Sequence, residues 1–300
     1  MKINNNFLKT YYGVYQLIVR GNMSRVIIIG GDRRQRALEK IFEDEGFECI
    51  SIDRTEDFSD KIFDADDAVI LPVPVSKDGV YIFSTESHLK IKKEEVLSCV
   101  KNKGYVFGGG FSDADKIYMI KNNVNFLDYM MCEEFLVYNA YLTGLGAVKL
   151  LLEKTYEDIK GKKVLITGFG RVAEYTASEL KNIGAEIFVT ARKSLQCTKA
   201  ECYGYKTVCF KEFGSRISEF DYIFNTVPEN IFTAKDVAGF NGTYFELASY
   251  PYGVSQDLFS GEDNRYCFGG GLPGRYLPDS AAEKIASLTL AHIKPEGRGD

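Results

Sequence analysis

Histidine is scarce in this chain: His88 and His292 are the only two in 300 residues. No Cys-x-x-Cys pair occurs among the seven cysteines. These shortages argue against a zinc site, and the odd, unframed cysteine set argues for reduced thiols rather than a disulfide scaffold. Positive charge is not in excess, because the formal net charge is -5. Such a chain has no general attraction to nucleic acid or to an anionic membrane. No unbroken apolar run reads as a bilayer span, and residues 1–22 lack the basic start and smooth apolar core of a signal peptide. The expectation is a cytoplasmic protein with no metal, nucleic-acid or membrane partner.

What is present is an ordinary globular composition, 45% hydrophobic and 26% charged, in a length that suits two domains. Short apolar runs alternate with helical patterns twice in succession, which is the sign of α/β layering. The first series predicts strands at Arg25–Ile29, Phe47–Ile52, Ala68–Val73, Tyr105–Phe107 and Asn125–Leu127, an extended Tyr81–Phe83, and helices at Arg33–Glu45 and Glu94–Lys101. A proline-free stretch, Glu133–Leu152, reads as a long connecting helix. The second series predicts strands at 163–167, 186–190, 221–225, 242–247 and 265–268, with helices at 171–183 and 194–202. A last helix, Ala281–His292, is of the kind that packs back onto a first domain. The expected division is a flavodoxin-like substrate domain at 23–138, joined by a returning helix at 279–294, and a doubly wound parallel-sheet domain at 139–278. Residues 1–22 read as an extension ahead of Met23 or a loosely docked helix.

The most informative run is Lys162-Lys163-Val164-Leu165-Ile166-Thr167-Gly168-Phe169-Gly170-Arg171-Val172-Ala173. A strand leads into Gly-x-Gly-x-x-Ala and then a helix, the setting of a dinucleotide fingerprint. Gly168 permits the tight turn, Gly170 lets the backbone approach a pyrophosphate, and Ala173 keeps helix and strand close. The helix start then offers unpaired N–H groups. At the next strand end, Ala191-Arg192-Lys193-Ser194 carries no carboxylate for a ribose 2′-hydroxyl. Arg192, Lys193 and Ser194 suit a 2′-phosphate instead, so the expected cofactor is NADP. Asn225-Thr226-Val227-Pro228 ends a later strand and would line the nicotinamide side. In the first series, Gly30-Gly31-Asp32 follows a strand and Asp53 stands where a ribose carboxylate would. It is not Gly-x-Gly-x-x-Gly, and Asp32 would oppose a pyrophosphate.

The order and spacing of several motifs resemble the A chain of dipicolinate synthase over most of residues 24–293. They are Gly30-Gly31-Asp32 with Arg34-Gln35, Leu71-Pro72-Val73, Asn139-Ala140 with Thr143, and Gly168-Phe169-Gly170-Arg171. Further along come Ala191-Arg192, Asn225 to Pro228, Leu247-Ala248-Ser249 and Gly271-Leu272-Pro273-Gly274. The chain departs from the family pattern at Leu142 and Leu145, at Tyr250 to Gly253, at Asp279 and at Pro74-Val75. The resemblance implies two Rossmann-like domains of the formate and alanine dehydrogenase type, with the ligand crevice between them. It implies an NADP-dependent oxidation of dihydrodipicolinate to dipicolinate during sporulation, and a flavodoxin-like second subunit of dipicolinate synthase. The departures leave open an NADP(H)-dependent dehydrogenase or reductase of another small cyclic imine or amino acid, and a catalytically silent NADP-binding partner or sensor.

A dicarboxylate substrate calls for cations. Arg34, aided by Gln35, and Arg275 are the candidate clamps. Arg33 reads as a solvated helix-start residue. No general base stands out; Asp32 and Glu246 become candidates if buried, and Thr143 and Ser249 could relay a proton or bond a carboxylate. A homo-oligomer is the expected assembly.

Overall fold

The alternation of apolar strands with helices produces two parallel sheets. The computed structural model describes residues 21–64, 67–85, 89–100, 104–259 and 265–295. His88 and residues 1–20 of the N-terminal extension lie outside them. The chain falls into two compact units, Met1–Leu136 with Pro278–Asp300, and Val137–Leu277.

In the first unit the elements are β1 (Arg25–Ile29), α1 (Arg33–Asp44), β2 (Glu48–Ile52), β3 (Ala68–Ile70), α2 (Lys93–Cys99), β4 (Tyr105–Gly108), α3 (Asp113–Lys121) and β5 (Asn125–Asp128). The sheet runs β2-β1-β3-β4-β5, all parallel, which is the flavodoxin-like order. The unbroken run in β1 is explained by burial on both faces. Val26 and Ile28 feed one core and Ile27 and Ile29 the other, all at 2% exposure or less. Each such side chain contributes about 1.5–3 kcal/mol.

The C-terminal helix Pro278–Leu290 closes one face of this unit. It buries Ala282, Ile285 and Ala286 in the same cluster as Leu38 and Phe42 of α1. The Tyr129 hydroxyl meets Thr289 Oγ1 at 2.6 Å, and Thr289 in turn donates to the carbonyl of Ile285. The next strand, Ile293–Pro295, pairs in parallel with Gly21–Met23.

Three expectations differ from the structure. The strand predicted through Val73 stops at Ile70. Leu71 N–H still bonds Phe107 O, but Pro72 and Pro74 bring no donors. Tyr81–Phe83 makes a single isolated bridge, from Tyr81 to Lys92. Helix α3 is not foreseen from the sequence because it is short and weakly amphipathic, although Ser112 and Asp115 form a capping box that marks its start.

Helix α4 (Glu133–Thr155) has its first turn in the first unit and the rest in the second. An 18-residue window of it, of mean hydropathy 1.4, is long and apolar enough by composition to cross a bilayer, which corrects the expectation that no apolar run is long enough. Half of that window is buried within the protein, with Ala147, Leu150 and Leu151 in the core of the second unit.

The second unit continues with β6 (Lys163–Thr167), α5 (Arg171–Asn182), β7 (Glu186–Thr190), α6 (Ser194–Cys202), β8 (Lys206–Thr207), β9 (Tyr222–Asn225), α7 (Ala234–Gly239), β10 (Thr243–Glu246), β11 (Tyr266–Phe268) and α8 (Leu272–Tyr276). Its order is β11-β10-β9-β6-β7-β8, again all parallel. Counted from β6, this is the doubly wound 6-5-4-1-2-3 arrangement, and its switch point falls between β6 and β9.

Candidate functional site

At the end of β6 the chain turns through Gly168, whose φ is +79°. A β-carbon there would lie 3.0 Å from both Thr226 Oγ1 and Val227 Cγ2, so packing and backbone both demand glycine. Gly170 differs. Its φ is -96°, which any residue adopts, and a β-carbon would meet nothing within 4 Å. Nothing among the described residues requires glycine at 170; the open space above it is what an approaching phosphate would use. Gly170 is also the N-cap of α5 and gives no side-chain cap. The helix start therefore has no side-chain cap, and its dipole favours an anion there. Ala173 is fully buried against the strand, as the fingerprint demands. Phe169 is 2% exposed and packs edge-on to Tyr203 and Tyr205. Only its backbone can meet a ligand.

The second strand end holds a surprise. Arg192, Lys193 and Ser194 are exposed beyond β7, yet Arg192 is not alone. Its Nη1 and Nη2 donate to Glu229 Oε2 and Oε1 at 2.6 and 2.7 Å. A carboxylate does stand beside this tip, delivered from the loop after β9.

At the β9 end, Asn225 is fully buried. Its Oδ1 accepts from Thr167 Oγ1 at 2.5 Å, and its Nδ2 donates to Val227 O and to Glu246 Oε1 at 2.9 and 2.7 Å. Asn225 thus shapes the loop to Pro228 from beneath. Thr226 and Val227 are half-buried, and the Thr226 hydroxyl donates to Thr167 O at 2.7 Å. Glu246, at the end of β10, also accepts from Tyr244 Oη and from the N–H groups of Ala248 and Gly253. Burial pushes its carboxyl above the usual range, with the four hydrogen bonds pulling the other way. Wholly enclosed and fully bonded, Glu246 holds the 247–253 loop; the structure gives it no access to a ligand proton.

The glycine turn of the first unit is built on the opposite plan. Asp32 is the N-cap of α1, accepting from Arg34 N–H, while Gln35 Oε1 accepts from Asp32 N–H at 2.8 Å. A carboxylate of the chain itself occupies the place a phosphate would take, so this turn is closed to pyrophosphate. Asp32 also binds the Arg34 fork, at 2.8 Å to both Nε and Nη2, and Arg34 Nη2 donates to Val73 O. Arg34 is 4% exposed. The expected carboxylate clamp is therefore filled by Asp32, and the expected base is tied up by Arg34.

A cavity of about 280 Å³ opens beside this turn. It is lined by Gly30, Gly31, Asp32, Arg33, Gln35 and Arg36, together with Ile28, Glu39, Ser51, Ile52, Asp53, Ser84 and Thr85. Arg34 is not among its walls. Arg33 and Arg36, one helical turn apart and exposed, are the cations that face it. Their i, i+3 spacing at a helix start is a signal that residue order carries and that the choice of Arg34 overlooks.

The remaining candidates scatter. Thr143 donates to Asn139 O at 2.7 Å within α4. Ser249 is exposed in the loop after β10. Arg275 lies 3.5 Å from Glu153 and over the ring of Tyr276, a surface pair rather than a clamp. His292 Nδ1 contacts Leu288 O, and the ring packs edge-on to Phe107. Among the described residues no group of His, Cys, Asp or Glu is placed to hold a metal ion.

A glycine turn at the switch point of a doubly wound sheet gives the second unit the form of a dinucleotide-binding domain. Residues 147–237 match the NAD-binding domain of the D-isomer specific 2-hydroxyacid dehydrogenases. Residues 25–130 match the N-terminal domain of the dipicolinate synthase A chain. The likeness to that protein extends beyond the domain. The chain is 24% identical over 291 residues to the dipicolinate synthase A chain of Bacillus subtilis (strain 168), covering 91% of this chain and 97% of that one. The crystal structure of the dipicolinate synthase A chain from Bacillus halodurans aligns with a TM-score of 0.72 at 23% identity, covering 89% of this chain and 97% of that one. NAD-dependent formate dehydrogenase from Staphylococcus aureus, in complex with NAD, aligns with a TM-score of 0.52 at 16% identity, over 88% and 92% of the two chains. The resemblance drawn from scattered motifs holds along nearly the whole chain, as does the fold of two Rossmann-like domains.

Proposed function

We propose that this protein oxidises dihydrodipicolinate to dipicolinate with NADP, in the cytoplasm of a sporulating cell and alongside a flavodoxin-like second subunit. The observation that carries the redox reading is the uncapped helix start at Gly168–Gly170, open to a pyrophosphate where the turn of the first unit is shut. Residues 168–172 would hold the pyrophosphate, Arg192, Lys193 and Ser194 the adenosine phosphate, and Thr226 to Pro228 the nicotinamide side, with Asn225 positioning that loop. The cofactor, when bound, supplies the hydride acceptor.

The chain supplies the rest. We assign the two substrate carboxylates to the cavity of the first unit, with Arg33 and Arg36 as its cations and Gln35 as a further donor. Arg34, spent on Asp32, braces the turn that presents them. The carboxylates of Asp53 and Glu39 on the same lining are the proton acceptors we assign in place of Asp32. Ser249 remains the exposed hydroxyl of the second unit suited to bonding a carboxylate. Seven cysteines, all free, suit a reducing compartment.

Mixing the purified chain with NADP and freshly made dihydrodipicolinate tests the assignment. Reduced nicotinamide should appear in the near-ultraviolet absorbance together with dipicolinate. Cofactor binding without turnover on this substrate, but with turnover on another cyclic imine, would move the substrate and keep the reaction class.

A further inference from the structure

The sequence places no carboxylate at the end of β7, and on that ground favours NADP. The fold changes this balance. Pro228 follows the β9 strand tip, and the next residue, Glu229, reaches across to Arg192, 37 positions away in the chain. Both oxygens and both terminal nitrogens of the fork are used, at 2.6 and 2.7 Å. The side chains are 55% exposed for Arg192 and 51% for Glu229.

We propose that Glu229 sets the choice between NADP and NAD by holding Arg192 in a bidentate ion pair that a 2′-phosphate must open. This rests on the reading of Gly168–Gly170 as the pyrophosphate seat. Arg192 is the strand-end cation best shaped for a phosphate, because its planar fork matches two oxygens at once. While the pair is closed, that fork is full. A 2′-phosphate carries up to about two negative charges against one for a carboxylate, so it can displace Glu229. Displacement leaves the freed carboxylate near the phosphate, and the two repel. An unphosphorylated ribose needs no such opening. The closed pair instead leaves a carboxylate beside the strand end, the group that NAD-binding domains commonly offer to ribose hydroxyls. Glu229 therefore weakens NADP selectively and lets the site accept NAD.

Both residues lie at the surface, so substitution should leave the fold intact, and a thermal melt checks this. Calorimetric titration of the full chain with NADP and with NAD then reads the effect. Glu229→Gln should bind NADP about fivefold more tightly, the value of an exposed ion pair of about 1 kcal/mol. Its affinity for NAD should not rise. Arg192→Gln should lose NADP affinity, and adding Glu229→Gln to it should recover less than the fivefold gain, since only the direct repulsion by the carboxylate is then left to remove. Unchanged NADP affinity in Glu229→Gln, or an equally large gain in the absence of Arg192, overturns the proposal while leaving the cofactor site standing. Failure of the unaltered chain to bind either nucleotide removes the cofactor site itself, and this proposal with it.

Discussion

The side-chain amide of Asn225 donates to the carboxylate of Glu246 at 2.7 Å, and neither residue is reached by solvent. The pair ties the ends of β9 and β10 together beneath the loop assigned to the nicotinamide. A carboxylate in such a place answers to pH through folding rather than catalysis. Burial raises the folded-state pKa of Glu246. The folded state therefore holds its proton more tightly than the unfolded chain does. The stability this contributes is complete below the ordinary carboxylate range and is lost as pH rises through the raised value. Glu246→Gln should cost stability by disturbing two of the four hydrogen bonds, because an amide nitrogen cannot accept, and that cost should shrink as pH climbs from acid toward neutral. Denaturant titrations of both proteins across that range measure it. A cost that grows with pH would show that the hydrogen bonds outweigh burial.

The two glycines of the fingerprint should separate stability from binding. Gly168→Ala should destabilise the protein by about 1–2 kcal/mol, because alanine resists the left-handed backbone. Gly170→Ala should stay within about 0.5 kcal/mol of the parent, yet lose nucleotide affinity, since its methyl enters the space above the helix start. Thermal melts and nucleotide titrations on the same samples make the comparison. Equal effects of the two substitutions on nucleotide affinity, with Gly170→Ala also unfolding, would contradict the assigned roles.

Neighbouring arginines should behave oppositely. Arg34→Gln opens a largely buried pair and should cost about 3 kcal/mol in unfolding free energy. Arg33→Gln should leave the melting temperature in place and weaken dipicolinate binding, measured by calorimetry. Intact dipicolinate affinity in Arg33→Gln would take the cavity of the first unit out of substrate recognition.

The Tyr129–Thr289 contact that joins the C-terminal helix to the first unit should show an asymmetry. Tyr129→Phe removes one hydrogen bond and leaves Thr289 bonded to Ile285, so about 1 kcal/mol is expected. Thr289→Val strands a buried phenol without its acceptor and should cost more, about 1–3 kcal/mol. Chemical denaturation of the two variants decides the order.

Much of the fold is legible in residue order. The run Arg25 to Ile29 and the stretch from Lys162 to Ala173 fall where expected, because a doubly buried strand and a glycine turn are written in consecutive residues. Helix α3 escapes because its capping box is stronger than its amphipathic pattern. The site residues divide similarly. Gly168 and Ala173 have the backbone and packing their spacing promises, since each acts through its own backbone or immediate neighbours. Arg34, Asp32 and Arg275 do not follow expectation, because each is claimed by a partner that spacing alone does not assign to it.

By itself the sequence determined the alternation of strands and helices, the glycine bend ahead of α5 and the absence of an acid at the end of β7. All of these depend on near neighbours and on the backbone freedom of single residues. Only the tertiary structure decided which charges face a ligand. It sealed Arg34 behind Asp32, turned Arg33 and Arg36 to a cavity, and brought Glu229 to Arg192. Strand order sets which loop ends become adjacent, and an ion pair forms between whichever charges that adjacency brings within reach.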